Sequence, residues 1–85
     1  MDNNKILIEV YVPSIEKQYC IFIPVSKRVG TIKKLIEKGI KDFAGDSFSI
    51  KEESNFYSKE TGMIYDVNLK VIDTDLKNGS RIILI

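Results

Sequence analysis

The sequence predicts an α+β domain in which one helix packs on one face of a sheet. Three observations predict it. Lys5 to Val12 alternates with period two: Ile6, Ile8, Val10 and Val12 take one face, and Lys5, Leu7, Glu9 and Tyr11 the other. That is the mark of a half-buried strand. From Val29 the period lengthens, and Val29, Ile32, Ile36, Ile40 and Phe43 fall on one helical stripe. The chain then closes on a second apolar run, Arg81 to Ile85.

Each element follows from local chemistry. Pro13 to Gln18 reads as a turn, and Tyr19 to Val25, rich in aromatic and β-branched residues, as the return strand of an antiparallel hairpin. The helix runs from about Val29 to Phe43, with Leu35 at the margin of its stripe. Lys33, Lys34, Glu37, Lys38 and Lys41 fall opposite, on the face expected to meet water. Ser26 or Thr31 is positioned to cap it. Gly39 lies near the apolar stripe, at a cost of roughly 1 kcal/mol against alanine unless another backbone must come close. Ala44-Gly45-Asp46 ends the helix.

An irregular connection over Phe48 to Ser54 leads to a short strand near Asn55 to Ser58. Gly62 suits positive φ in the turn Lys59 to Gly62, and Met63 to Tyr65 reads as a short returning strand. Val71 to Leu76 predicts a single helical turn, and Asn78-Gly79 a tight turn into the last strand.

Composition narrows the function. Eighty-five residues, 44% of them hydrophobic, suit one small domain spanning 1–85. Thirteen basic and twelve acidic residues leave a formal charge of +1, no general lure for nucleic acid or an acidic membrane. Arg28 and Arg81 are the only arginines, so bidentate phosphate recognition is poorly supplied. Histidine is absent, which removes the commonest general base and transition-metal ligand. Cys20 is the single cysteine; without a nearby source of thiolate stabilisation it predicts an ordinary thiol, and a lone thiol suits a reducing cytosol. No run approaches the roughly 20 apolar residues of a membrane helix, and the start lacks a signal-peptide layout.

Other clusters read as structural. The helix lysines, interrupted by Glu37 and Asp42 and unflanked by aromatics, read as a solvated face. Asp73-Thr74-Asp75 lacks the calcium-loop ligand pattern and its glycine; capping a helical turn explains it better. The five glycines are isolated, so no phosphate-cradling loop is expected.

Hairpin, amphipathic helix, short hairpin, helical turn, final strand: this order resembles the ubiquitin-like β-grasp. The stretch Val71 to Leu76, then Lys77-Asn78-Gly79 and Ser80 to Ile85, carries the likeness most specifically. Within that fold the short start Lys5 to Val12, the helix entry Val29 to Ile36 and the ending Asn78 to Ile85 resemble the YukD/EsaB family. Its members accompany the type VII (WXG100) secretion machinery of Gram-positive bacteria, and abundant lysine and isoleucine agree with an AT-rich source. The turn Tyr57 to Tyr65 is longer than ubiquitin's.

The resemblance implies a mixed sheet of order 2-1-5-3-4, strands one and five parallel at its centre, and the helix on one face. It also implies a non-enzymatic, cytoplasmic accessory or regulatory subunit of a type VII secretion system. The outer sheet face would then carry Leu7, Tyr11, Cys20, Phe22, Ile83 and Ile85, with Phe56 or Tyr57 nearby. Only Lys5, Glu9 and Arg81 interrupt that set, where a half-solvated sheet normally shows polar residues. Leu7, Tyr11, Phe22, Phe56, Ile83 and Ile85 are therefore the candidate protein-binding residues. Their expected partner is a secretion-system protein, with weak self-association a further expectation. No cofactor, metal, nucleic acid or direct membrane insertion is expected. Two other classes stand beside this reading. A ubiquitin-like modifier or sulfur carrier would need a C-terminal Gly-Gly where this sequence ends at Ile85, and a nucleic-acid-binding β-grasp module would show salt-dependent binding.

Overall fold

The computed structural model describes residues 4–45 and 54–85. Four strands and one helix build it: β1 (Lys5–Val12), β2 (Lys17–Pro24), α1 (Val29–Ala44), β3 (Phe56–Ser58) and β4 (Ser80–Leu84). The sheet order is β2-β1-β4-β3. β1 pairs antiparallel with β2 and parallel with β4, and β3 pairs antiparallel with β4.

This is the predicted α+β arrangement, with one strand fewer. The return strand expected at Met63 to Tyr65 contributes one bridge, Tyr57 to Ile64, held by Ser58 N–H to Met63 C=O and Tyr65 N–H to Phe56 C=O. The turn before it uses Gly62 at φ 74°, a conformation that costs glycine no Cβ clash. A single 3₁₀ turn at Val71–Asp73 fills the place of the predicted helical turn. The irregular connection expected over 48–54 lies, apart from Ser54, outside the described residues.

The first hairpin closes through a 3₁₀ turn, Pro13–Ile15, and Glu16 takes a left-handed conformation at φ 51°. Proline fixes its own φ for the first turn position.

The alternation in β1 holds. Ile8, Val10 and Val12 are fully buried, and their register sets them beside Ile21, Tyr19 and Ile82. α1 covers this face with Val29, Ile32, Ile36 and Ile40, and Ile23, Phe56, Val71, Ile82 and Leu84 complete the core.

Two helix positions depart from the wheel. Phe43, placed on the apolar stripe, is 86% exposed. It lines a groove beside β2 and does not enter the core. Glu37, placed on the solvated face, is 3% exposed. Its Oε1 lies 3.4 Å from Lys33 Nζ, one turn earlier on the same covered flank. Its Oε2 has no hydrogen-bond partner among the described residues. A wheel assumes one buried face; here the flank next to Ile36 is covered as well.

Neither Ser26 nor Thr31 caps α1. The N-cap is Arg28, without a side-chain cap. Distant backbone does the work: Val29 N–H donates to Leu69 C=O at 2.8 Å, and Gly30 N–H to Val67 C=O at 3.0 Å. These satisfy helix N–H groups that have no intrahelical partner. Gly30 suits this close approach, because a Cβ there would stand 3.1 Å from Val67 O, tighter than most side-chain contacts. The same strap is tied on by Val71 N–H to Lys27 C=O, by Ile72 N–H to Val25 C=O, and by Arg28 Nη1 to Asn68 C=O.

Candidate protein-binding surfaces

The outer face of the sheet is built by cross-strand pairs. Leu7 stands opposite Phe22, Glu9 opposite Cys20 and Arg81, and Tyr11 opposite Gln18 and Ile83. Ile83 also pairs with Tyr57. Five of the six candidate residues lie on this side or at its edge. Phe22 is 67% exposed and Ile85 is exposed, while Leu7, Tyr11 and Ile83 are half-buried.

Phe56 does not belong there. It pairs with Leu84 and is 2% exposed, inside the core. Tyr57 is the aromatic that faces outward beside Ile83. In a strand of three residues with two adjacent aromatics, either parity is apolar. The pairing partner decides it, since Leu84 faces the helix and Ile83 does not.

The outer apolar residues do not form one patch. Glu9 Oε2 meets Arg81 Nε at 3.1 Å, and Gln18 Nε2 donates to Glu9 Oε1 at 3.3 Å. This polar bar crosses the sheet between two apolar groups. Phe22 and Leu7 lie on one side, and Tyr11, Ile83 and Tyr57 on the other. Lys59 Nζ stands 5.9 Å from the Tyr11 ring centroid, within cation–π range, so the second group is partly covered by a cation.

A second surface was not foreseen from the sequence. Between α1 and β2, the edge strand among the described residues, runs a groove of about 460 Å³. Tyr19 to Pro24, the outer-face candidate Phe22 among them, form its sheet wall, and Leu35, Gly39 and Phe43 stand on its helix wall. Leu35 is 60% exposed. The available signal was angular: Leu35, Gly39 and Phe43 recur every four residues on one margin of the helix. Cys20 is exposed beside this groove.

Among the described residues no three histidine, cysteine, aspartate or glutamate side chains gather as a metal site would require. No described helix is long and apolar enough to cross a membrane. At Tyr65 burial, then its hydrogen bond to Asp75, pushes the phenol above its ordinary value of 10.0.

No protein-family model matches the chain, and no curated protein matches it. Solved structures match its fold closely at low identity. A protein described under "Molecular Mimicry of SUMO promotes DNA repair" superposes over 100% of this chain and 95% of its own, with a TM-score of 0.79 and 19% identity. The ubiquitin-like domain of the Mycobacterium tuberculosis type VII secretion system protein ECCD1 superposes over 95% of this chain and 97% of its own, with a TM-score of 0.74 and 10% identity. A component of the ESX-5 inner membrane complex covers 96% of this chain at a TM-score of 0.79 and 9% identity; the match spans 21% of that component's length. The chain therefore has the ubiquitin-like fold: a mixed four-strand sheet with one helix.

Proposed function

We propose that this protein is a non-enzymatic, cytosolic ubiquitin-like module that binds a protein component of a bacterial type VII secretion system through its outer sheet face. The observation that carries this reading is Phe22, an aromatic 67% exposed on the outer face of a fold shared with a type VII secretion domain. Solvent exposure of that ring gains the monomer little. Its burial against a partner would contribute at about 25 cal/mol per Å², less the cost of association. Leu7 beside it and Ile85 at the sheet's end extend the same face.

The test is made in the source cell. Removal of the chain is expected to reduce export of WXG100 proteins, and the Phe22→Ser variant is expected to fail to restore it while accumulating normally. Full export without the chain, or full rescue by Phe22→Ser, overturns the reading. The likeness to a SUMO mimic supports a second reading, docking to a protein outside secretion. Capture of the partner on the wild-type chain and not on Phe22→Ser, with export unchanged, selects it.

A further inference from the structure

We propose that the cavity at the N-terminal end of α1 binds a small-molecule phosphate monoester by its dianionic head. The cavity lies between the first turns of the helix, Ser54 and Asn55 ahead of β3, and Val67 and Asn68 of the strap. None of the outer-face candidates lines it, so the site stands whether or not the secretion reading does.

Charge supplies the first argument. Arg28, Lys33 and Lys34 fall together at the helix entry, and all three line the cavity. Their charges are not equally available. Lys33 Nζ lies 3.4 Å from Glu37 Oε1, and both side chains of that pair are largely covered. Arg28 Nη1 donates to Asn68 C=O at 2.8 Å. That neutral acceptor holds the guanidinium against the strap and leaves its charge uncompensated. Lys34 is exposed and joins no ion pair among the described residues. No carboxylate stands among the described lining residues. Two uncompensated cations match a phosphate monoester, which carries about −1.5 to −2 at pH 7. A phosphodiester, with its single charge, matches them less well.

Unspent hydrogen-bonding groups supply the second. Val29, Gly30 and Thr31 N–H precede the first intrahelical bond, Ile32 N–H to Arg28 C=O. Leu69 and Val67 C=O take the first two, and Thr31 N–H has no backbone acceptor among the described residues. Ser54 is 8% exposed, yet its hydroxyl makes no hydrogen bond among the described residues. A covered hydroxyl without a partner is costly, and such groups are usually satisfied. Thr31 and Ser54 both line the cavity, where phosphate oxygens would accept from them.

Shape supplies the third. About 450 Å³ lies within the range of ordinary ligand sites and exceeds what a bare phosphate fills. Val67 is the one apolar side chain among the described lining residues, a wall for the body that carries the phosphate. The other walls are held in place. Asn55 and Ile85 exchange backbone bonds at 2.8 and 3.2 Å, and Gly30 N–H ties the strap to the helix at 3.0 Å. On a helical wheel Lys33 and Lys34 only face water; the cavity forms because these distant segments close on the helix end.

The test uses the full chain, ¹⁵N-labelled, with ribose 5-phosphate as the probe. We expect saturable binding with a Kd below about 1 mM, and amide shifts centred on Thr31, Lys34, Asn55 and Asn68. Ribose should not bind, and dimethyl phosphate, a monoanion, should bind at least about tenfold more weakly. Lys34→Gln should weaken binding about tenfold, and Ser54→Ala about threefold. Lys38→Gln, at an exposed lysine of the same helix outside the cavity, should bind as wild type. The proposal is overturned by absence of saturation at about 10 mM, by full affinity of the folded Lys34→Gln variant, or by equal losses in Lys34→Gln and Lys38→Gln. Inorganic phosphate binding as tightly as ribose 5-phosphate would overturn it in favour of the free ion. Tighter binding of a phosphoserine peptide would overturn it in favour of a modified protein.

Discussion

Glu9 and Arg81, neighbours across the parallel pair of β1 and β4, join at 3.1 Å and divide the outer sheet face in two. Arg81 is more than half exposed, so the pair contributes little to stability, at most about 1 kcal/mol. Its larger effect is to keep Phe22 and Leu7 apart from Tyr11, Ile83 and Tyr57. The double variant Glu9→Leu, Arg81→Leu should make the apolar surface continuous. Sedimentation velocity is expected to show concentration-dependent association of the variant stronger than that of the parent. A variant that associates no more than the parent would show that the polar bar does not limit association.

Strand parity predicts a graded series. Phe22→Ser changes an exposed side chain and should cost less than about 1 kcal/mol. Ile83→Ser changes a half-buried one between Tyr11 and Tyr57 and should cost about 1–2 kcal/mol. Ile82→Ser leaves a hole and a hydroxyl in the core, where Ile82 is fully buried, and should cost about 4 kcal/mol. Urea midpoints measure all three. Equal losses for Phe22→Ser and Ile82→Ser would mean that the two faces are exchanged.

Two glycines on one helix should respond in opposite directions. Gly39→Ala adds a methyl in open space and should stabilise the fold by about 0.5–1 kcal/mol. Gly30→Ala places its methyl 3.1 Å from Val67 O, which cannot retreat without stretching its bond to Gly30 N–H. That variant should lose about 1 kcal/mol. Thermal melts of the pair decide it; a loss at Gly39 would mean that a neighbour closes on it.

How much of this was legible follows from where the information lies. β1 and the core stripe of α1 were readable because period two and period 3.6 are local, and eight and sixteen residues respectively carry them. β3 was not, because three residues hold too little pattern; only its register with β4 separates buried Phe56 from outward Tyr57. The cap of α1 was missed because its acceptors, Val67 and Leu69, lie some forty residues away in sequence. No local motif encodes such a partner. Glu37 was misplaced because a helical wheel does not show which flank the fold covers. That Glu9 and Arg81, which interrupt the apolar set in the sequence, join to part it into two groups was not legible, because a list of parities omits their contact. The β2–α1 groove needed the strand order before it could be seen, since only an edge strand leaves such a space open.

Tyr65 predicts a sensitivity to alkali. It packs against the core, and burial, reinforced by its hydrogen bond to Asp75, favours the neutral phenol; the bond from Ser58 acts the other way. The folded-state pKa therefore lies above the unfolded value of about 10. As pH rises past that value, the unfolded chain releases this proton before the folded one does. The contribution is thus complete below about pH 10 and is lost as pH climbs through the higher folded value. Tyrosinate absorbance should show one of the chain's four tyrosines titrating last, and Tyr65→Phe should abolish that final step. The variant's stability should also fall less steeply than the parent's above about pH 10. A late step that persists in Tyr65→Phe would assign the displaced phenol to Tyr11, Tyr19 or Tyr57 and remove the Tyr65–Asp75 bond as its cause.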